Sequence, residues 1–207
     1  MNNIYRLIII LSLVILGCTP KITDENKVTK KISSLDLNIF TKSGDKKYSI
    51  TSPFSIYDNI NGRFHFKETT INIFYDGITK YIINSDESTL SNNNKVIELK
   101  GNVKLKTIKQ NDDYLYADNF FWNIDETNYL LTGNIKFENK NIILTSGKAK
   151  MGANNIIEFF NPVKYIIKDN NNENKFETNS ENAYYDIKKE SLSFKAKDKR
   201  VSSKIYF

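Results

Sequence analysis

Val96-Ile97-Glu98-Leu99-Lys100-Gly101-Asn102-Val103-Lys104-Leu105-Lys106 decides how the chain is read. Apolar and charged residues alternate after Gly101-Asn102, the period of a strand with one buried face. The dipeptide suits a turn, because Gly tolerates positive φ and Asn tolerates the left-handed region. The phrase returns as Tyr129-Leu130-Leu131-Thr132-Gly133-Asn134-Ile135-Lys136-Phe137-Glu138. It returns again, with Asn-Pro for Gly-Asn, as Ile156-Ile157-Glu158-Phe159-Phe160-Asn161-Pro162-Val163-Lys164-Tyr165. Each copy is expected to be strand, turn, strand.

A second phrase lies between these. Its best copy is Tyr114-Leu115-Tyr116-Ala117-Asp118-Asn119-Phe120, with relatives that carry Ser52, Ser85, Ser146 and Ser180 at the small-residue position. The copies recur at roughly 30-residue spacing, the mark of stacked supersecondary units sharing one interior.

The remainder agrees with an all-β chain. Its 207 residues include 13 Phe and 12 Tyr but only 8 Gly and 3 Pro. Aromatics and Ile are strand formers, and no long stretch carries a capped 3.6-residue apolar period. Leu35 to Phe40 alternates and reads as the first strand, with Thr19 to Ser34 before it as a polar tether. Asn61-Gly62 and Asp76-Gly77 are hairpin signals, and the Asn-rich runs 91–94 and 170–174 read as loops. The expected architecture is an open-ended β-jelly roll of about a dozen short antiparallel strands over residues 35–207. A propeller would need a longer repeat, of about 40 residues or more.

Little catalytic chemistry is offered. His65 is the only histidine and lies on an alternating strand, pointing away from Phe64 and Phe66. No cluster of His or Cys suggests a metal, and no nucleophile elbow or phosphate-cradling loop appears. No cofactor and no nucleic-acid partner is expected. Asp86, Asp118 and Glu181 share one phase of the repeat and read as turn residues bonding backbone. The alternative is a carbohydrate-active or scaffolding lipoprotein on a β-roll, with paired carboxylates in a cleft.

The N-terminus sets the compartment. Arg6 precedes the apolar run Leu7–Leu16, which is shorter than the about 20 residues a membrane-spanning helix needs. Gly17-Cys18 follows, so residues 1–17 read as a secretory signal. Val14-Ile15-Leu16-Gly17-Cys18 resembles a bacterial lipobox, in which the cysteine is lipidated after cleavage. Cys18 is the only cysteine. Formal charge is +6 for the full chain; losing Arg6 leaves 29 basic against 24 acidic residues, or +5.

The order of parts resembles the periplasmic LptC component of lipopolysaccharide export and the wider LptA/OstA-like group. The resemblance runs from about Leu35 to Val201 and rests on Asp76-Gly77, Gly101-Asn102-Val103, Ala117-Asp118, Gly133-Asn134-Ile135 and Asn161-Pro162-Val163. Many members carry an uncleaved transmembrane helix, whereas this chain carries a lipobox. The resemblance implies a V-shaped apolar groove holding the acyl chains of lipopolysaccharide or a similar glycolipid. It implies that the N-terminal edge meets an inner-membrane ABC transporter and the C-terminal edge pairs with the next jelly roll. The expected groove lining is Val103, Leu105, Leu115, Trp122, Leu131, Ile135, Phe137, Leu144, Phe159, Val163 and Tyr165, with Lys104, Lys106, Lys136 and Lys164 facing water. The location implied is the periplasmic face of the inner membrane.

Overall fold

The computed structural model describes residues 29–206 other than 92, 109–112, 127, 141, 153, 170, 172 and 199. The leader, Cys18 and the first part of the tether lie outside the described residues. Twelve strands follow in order: β1 (Thr29–Phe40), β2 (Lys46–Asp58), β3 (Arg63–Tyr75), β4 (Ile78–Ser91), β5 (Val96–Thr107) and β6 (Tyr114–Asn123). Next come β7 (Asn128–Asn139), β8 (Ile142–Met151), β9 (Ile156–Lys168), β10 (Asn174–Asp186), β11 (Ser191–Lys195) and β12 (Ser202–Ile205). They form one sheet in chain order from β1 to β11, each pairing antiparallel with the next. The far edge of β10 is divided: Asn182–Asp186 pairs β11 and Phe176–Asn179 pairs β12.

Two expectations need correcting. β1 starts at Thr29, so Thr29–Ser34 belongs to an edge strand rather than to the tether, with Thr29 opposite Asp58 and Ser33 opposite Phe54. An edge strand tolerates such polar sequence because one flank stays in water. The second correction concerns the repeated dipeptides. Gly101-Asn102 and Gly133-Asn134 do not reverse the chain; they sit inside the single strands β5 and β7. Asn161-Pro162 likewise sits inside β9. The reversals come elsewhere, as at Asn61-Gly62 and at Asp76-Gly77, where φ is 51° and 73°.

What the dipeptides make is a crease. Gly101 and Asn102 have φ of 73° and 45°, and Gly133 and Asn134 have φ of 76° and 46°. Consecutive left-handed residues break the pleat and bend the strand. Opposite each bend the register skips, between Asn84/Glu87, Lys100/Val103, Tyr116/Asn119 and Thr132/Ile135. Ser34 and Glu68, with φ of 56° and 52°, extend the line of bends into β1 and β3. On the even strands the small residue of the second phrase supplies the bend. Ser52, Ser85, Ser146 and Ser180 each donate a hydroxyl hydrogen bond to the carbonyl two residues on, at 2.7–3.1 Å. The two recurring phrases are thus the odd-strand and even-strand halves of one crease.

The crease divides the sheet into two arms that fold onto each other. Tyr48 on the first arm meets Trp122 on the second edge-on, with ring centroids 5.2 Å apart. Phe137 meets Tyr185 at 4.6 Å and Tyr165 meets Phe194 at 5.3 Å, again arm to arm. Alternation along every strand turns one face toward this interior and the other toward water.

Candidate functional site

The interior is built in rows that follow the cross-strand register. At the crease the residues are mostly small or short: Ser52, Thr69, Ser85, Val103, Ala117, Ile135 and Val163 are buried there. The next row of the first arm is Ile50, Ile71, Ile83, Leu105, Leu115, Phe137, Leu144 and Tyr165. Facing it on the second arm run Ser55, Phe66, Ser88, Leu99, Phe120, Leu131, Ala149, Phe159 and Ala183, with the two serines at the β2–β4 end. This middle zone is nearly all hydrocarbon.

Val103, Leu105, Leu115, Trp122, Leu131, Ile135, Phe137, Leu144, Phe159, Val163 and Tyr165 all project into this interior. None is more than 7% exposed. In this conformation the middle of the trough is closed by side chains packed arm to arm. The ends differ. Leu35, Leu37, Ile39 and Phe64 at the first strands, and Ile142, Ile167, Phe176, Leu192 and Phe194 toward the last, pack on the core while staying partly exposed. Among the described residues no further strand pairs with the outer side of β1, and β11 and β12 each pair only with β10. Among the described residues the apolar interior is therefore partly open to solvent at both ends of the stack.

The row farthest from the crease is the mouth between the arms, and it is polar and aromatic. Tyr48 donates its hydroxyl to the Asn94 carbonyl at 3.3 Å, joining β2 of one arm to the β4–β5 turn of the other. Burial, with help from the Asp125 charge, pushes the Tyr48 phenol up to about 12. Tyr129 of the second arm bonds Tyr75 of the first, and burial holds its phenol well above the usual tyrosine range. Farther along, Tyr185 donates to Asp113 Oδ2 at 3.4 Å, and Asn139 donates to Asp113 Oδ1 and to the Tyr185 hydroxyl. Asp113 is 1% exposed, and its backbone N–H also bonds Thr107 Oγ1 at 3.1 Å. Sequence reading missed these cross-mouth partners. They lie 46 and 72 positions apart along the chain, which no local period reveals.

The outer face carries the charge. Lys104, Tyr116, Lys136 and Lys164 fall in one outward row, with Thr145 between the last two lysines. Lys104 lies over the Tyr114 ring at 4.5 Å, Lys136 pairs with Glu138, and Lys164 pairs with Glu177 at 3.2 Å. Bonding from Asn179 first, then Lys164, holds the Glu177 carboxyl below its usual range. Lys95 does the same to Asp125 at 2.8 Å on the mouth rim. His65 is exposed and meets Thr89 Oγ1 at 3.2 Å. Asp86 and Asp118 are crease pins rather than residues of a cleft: each accepts from the Asn of the facing crease, Asn102 or Asn134, at 2.8 Å. Glu181 accepts from the Lys197 and Asp198 backbone amides, tying the chain after β11 to the end of the crease.

Residues 7–151, from the apolar N-terminal run to the end of β8, match the family described as lipopolysaccharide-assembly, LptC-related. The chain belongs to the LptC family. β9 to β12 lie beyond the matched span, although the same crease and register run through them. Among solved structures, LptH from Pseudomonas aeruginosa aligns at 9% identity with a TM-score of 0.44. The alignment covers 77% of this chain and 94% of that one. LptH is described as the LptA-homologous periplasmic component of the conserved lipopolysaccharide transport device. Comparison with curated proteins gives no match. LptC membership assigns the chain to lipopolysaccharide assembly in the cell envelope.

Proposed function

We propose that this chain is a lipid-anchored link in the lipopolysaccharide export bridge. It takes the lipid from an inner-membrane ABC transporter at its β1 edge and passes it on at its β11/β12 edge. The observation that carries this reading is an apolar interior that the described residues leave partly exposed at both ends, in a chain of the LptC family. Acyl chains would lie between the arms while sugars and phosphates stay outside the mouth. The closed middle is compatible with that use. Parting the arms exposes hydrocarbon, and an entering acyl chain covers it again at about 0.8 kcal/mol per buried CH₂. Exchange of carbon for carbon leaves the opening nearly neutral, so a modest push from a partner ATPase suffices. No bond is made or broken.

Among the described residues both outer edges present unpaired backbone groups, the requirement for pairing with a neighbouring roll. Cys18 would carry the anchor. Two or three acyl chains hold a protein on a bilayer stably, where one is marginal.

Photo-crosslinkers at Leu105, Phe137 and Tyr165 should capture lipopolysaccharide in cells. Absence of adducts at all three positions would reject the conduit. Metabolic labelling with an alkyne palmitate should mark the wild type and not Cys18→Ala, which should also leave the membrane fraction.

A further inference from the structure

Trp122 is the only tryptophan in the chain. It points into the interior from the mouth row of β6, is 2% exposed, and its indole Nε1–H has no hydrogen-bond partner among the described residues. Leaving a buried donor unmade is costly, on the order of 1–3 kcal/mol. The ring sits against Tyr48 and Tyr129, with centroids 5.2 and 5.3 Å away. Those two phenols spend their hydroxyls across the mouth, on the Asn94 carbonyl and on Tyr75. One idle donor and two exchangeable ones therefore meet where the hydrocarbon interior ends.

The chemistry of a matching ligand follows. It must offer a hydrogen-bond acceptor next to hydrocarbon, and it must be neutral. A phosphate would need a cation there, and the charges of the nearby Lys95 and Lys47 both act on Asp125 at the rim. An ester or amide carbonyl joining an acyl chain to its headgroup meets both conditions. We propose that Trp122, Tyr48 and Tyr129 form a subsite for that carbonyl, the phenols trading their arm-to-arm bonds for bonds to the lipid. This inference rests on the conduit reading and adds the depth at which the lipid stops.

A single tryptophan gives a single indole N–H signal in a ¹H–¹⁵N spectrum of the full chain in detergent. The probes are lipopolysaccharide and a synthetic pair, an ester-linked diacyl glycolipid and its ether-linked twin lacking the carbonyls. The expected result is a downfield shift of the indole proton with the ester lipid and not with the ether. The ester should also bind several-fold more tightly, and Trp122→Phe should erase that preference. Should Trp122→Phe fold poorly, the wild-type spectra with the two twins decide alone. Equal binding of both twins with the indole unmoved overturns the subsite and leaves the conduit standing. Failure of all three lipids to bind removes the conduit itself, and the subsite with it.

Discussion

Gly133 sits at φ 76° with the Asp118 side chain close beside it; a Cβ there would fall 2.9 Å from the Asp118 Cβ. Gly101 repeats the arrangement against Asp86, with a carboxylate oxygen 2.6 Å from where the Cβ would lie. Gly133→Ala therefore meets two penalties, a left-handed backbone and a collision, and should cost about 1–3 kcal/mol. Urea midpoints check this. An Asp118→Ala background removes the carboxylate contacts but keeps the Cβ 2.9 Å away, so it should relieve only part of the cost and leave the backbone penalty whole. The mouth residues make a second prediction. The buried Tyr48 phenol is neutral when folded and titrates near 12, above its unfolded value of about 10. Its contribution to stability is whole below about pH 10 and is lost as pH climbs through the folded value. Alkaline titration followed at 295 nm should show late phenols ionising together with a fall in thermal stability. Tyr48→Phe should flatten that fall. Tyr185→Phe strips Asp113 of one buried partner and should cost about 1–2 kcal/mol at neutral pH.

The strands show what could be read from residues alone and what could not. Strict alternation identified the inward side chains on β5, β7 and β9, because a half-buried strand writes its face into every second residue. The same logic placed Lys104, Lys136 and Lys164 outside. The Gly-Asn pairs were misread because positive φ is also the signature of a tight hairpin. Only the register tells a reversal from a bend: Lys100 pairs Asn119 and Val103 pairs Ala117, so the chain continues in one direction through the pair. Asp86 and Asp118 were likewise expected to bond local backbone and instead bond the Asn of the next strand, 16 positions on. The start of β1 went unseen because an exposed edge needs no alternating apolar residues. At the other edge, β12 covers only Phe176–Asn179 of β10, and Thr178 Oγ1 lies 2.9 Å from Ser203 Oγ. Truncation after Arg200 should leave the sheet folded while altering pairing with a neighbouring roll. Co-purification with that neighbour checks it, and unchanged capture would place the seam on β11 alone.

At the scale of the molecule, protection against exchange should be uneven. Strands β4 to β8 have both flanks paired and buried interior residues, whereas β1, β10 and β11 carry half-exposed apolar side chains and β12 is exposed. Hydrogen exchange should be slowest in the central strands and quicken toward either end, following local rather than global opening. Equal protection throughout would contradict uncovered ends. Bound lipid should slow exchange along the mouth rows, including Tyr48, Trp122, Tyr129 and Tyr185. The overall class was legible because local alternation, turn residues and composition agree. The closed seam of phenols was not, since it depends on two arms meeting in space.

The pins at the crease also limit how such a molecule can change size. Each Asp holds the Asn of the following strand, and the pattern returns only after an up-and-down pair. Adding one strand would reverse the chain's direction and leave a pin without its mate. A longer version must therefore grow by whole hairpins, each lengthening the trough by roughly 10 Å. Tandem duplication of residues 86–117 is the smallest extension that keeps every fastening matched.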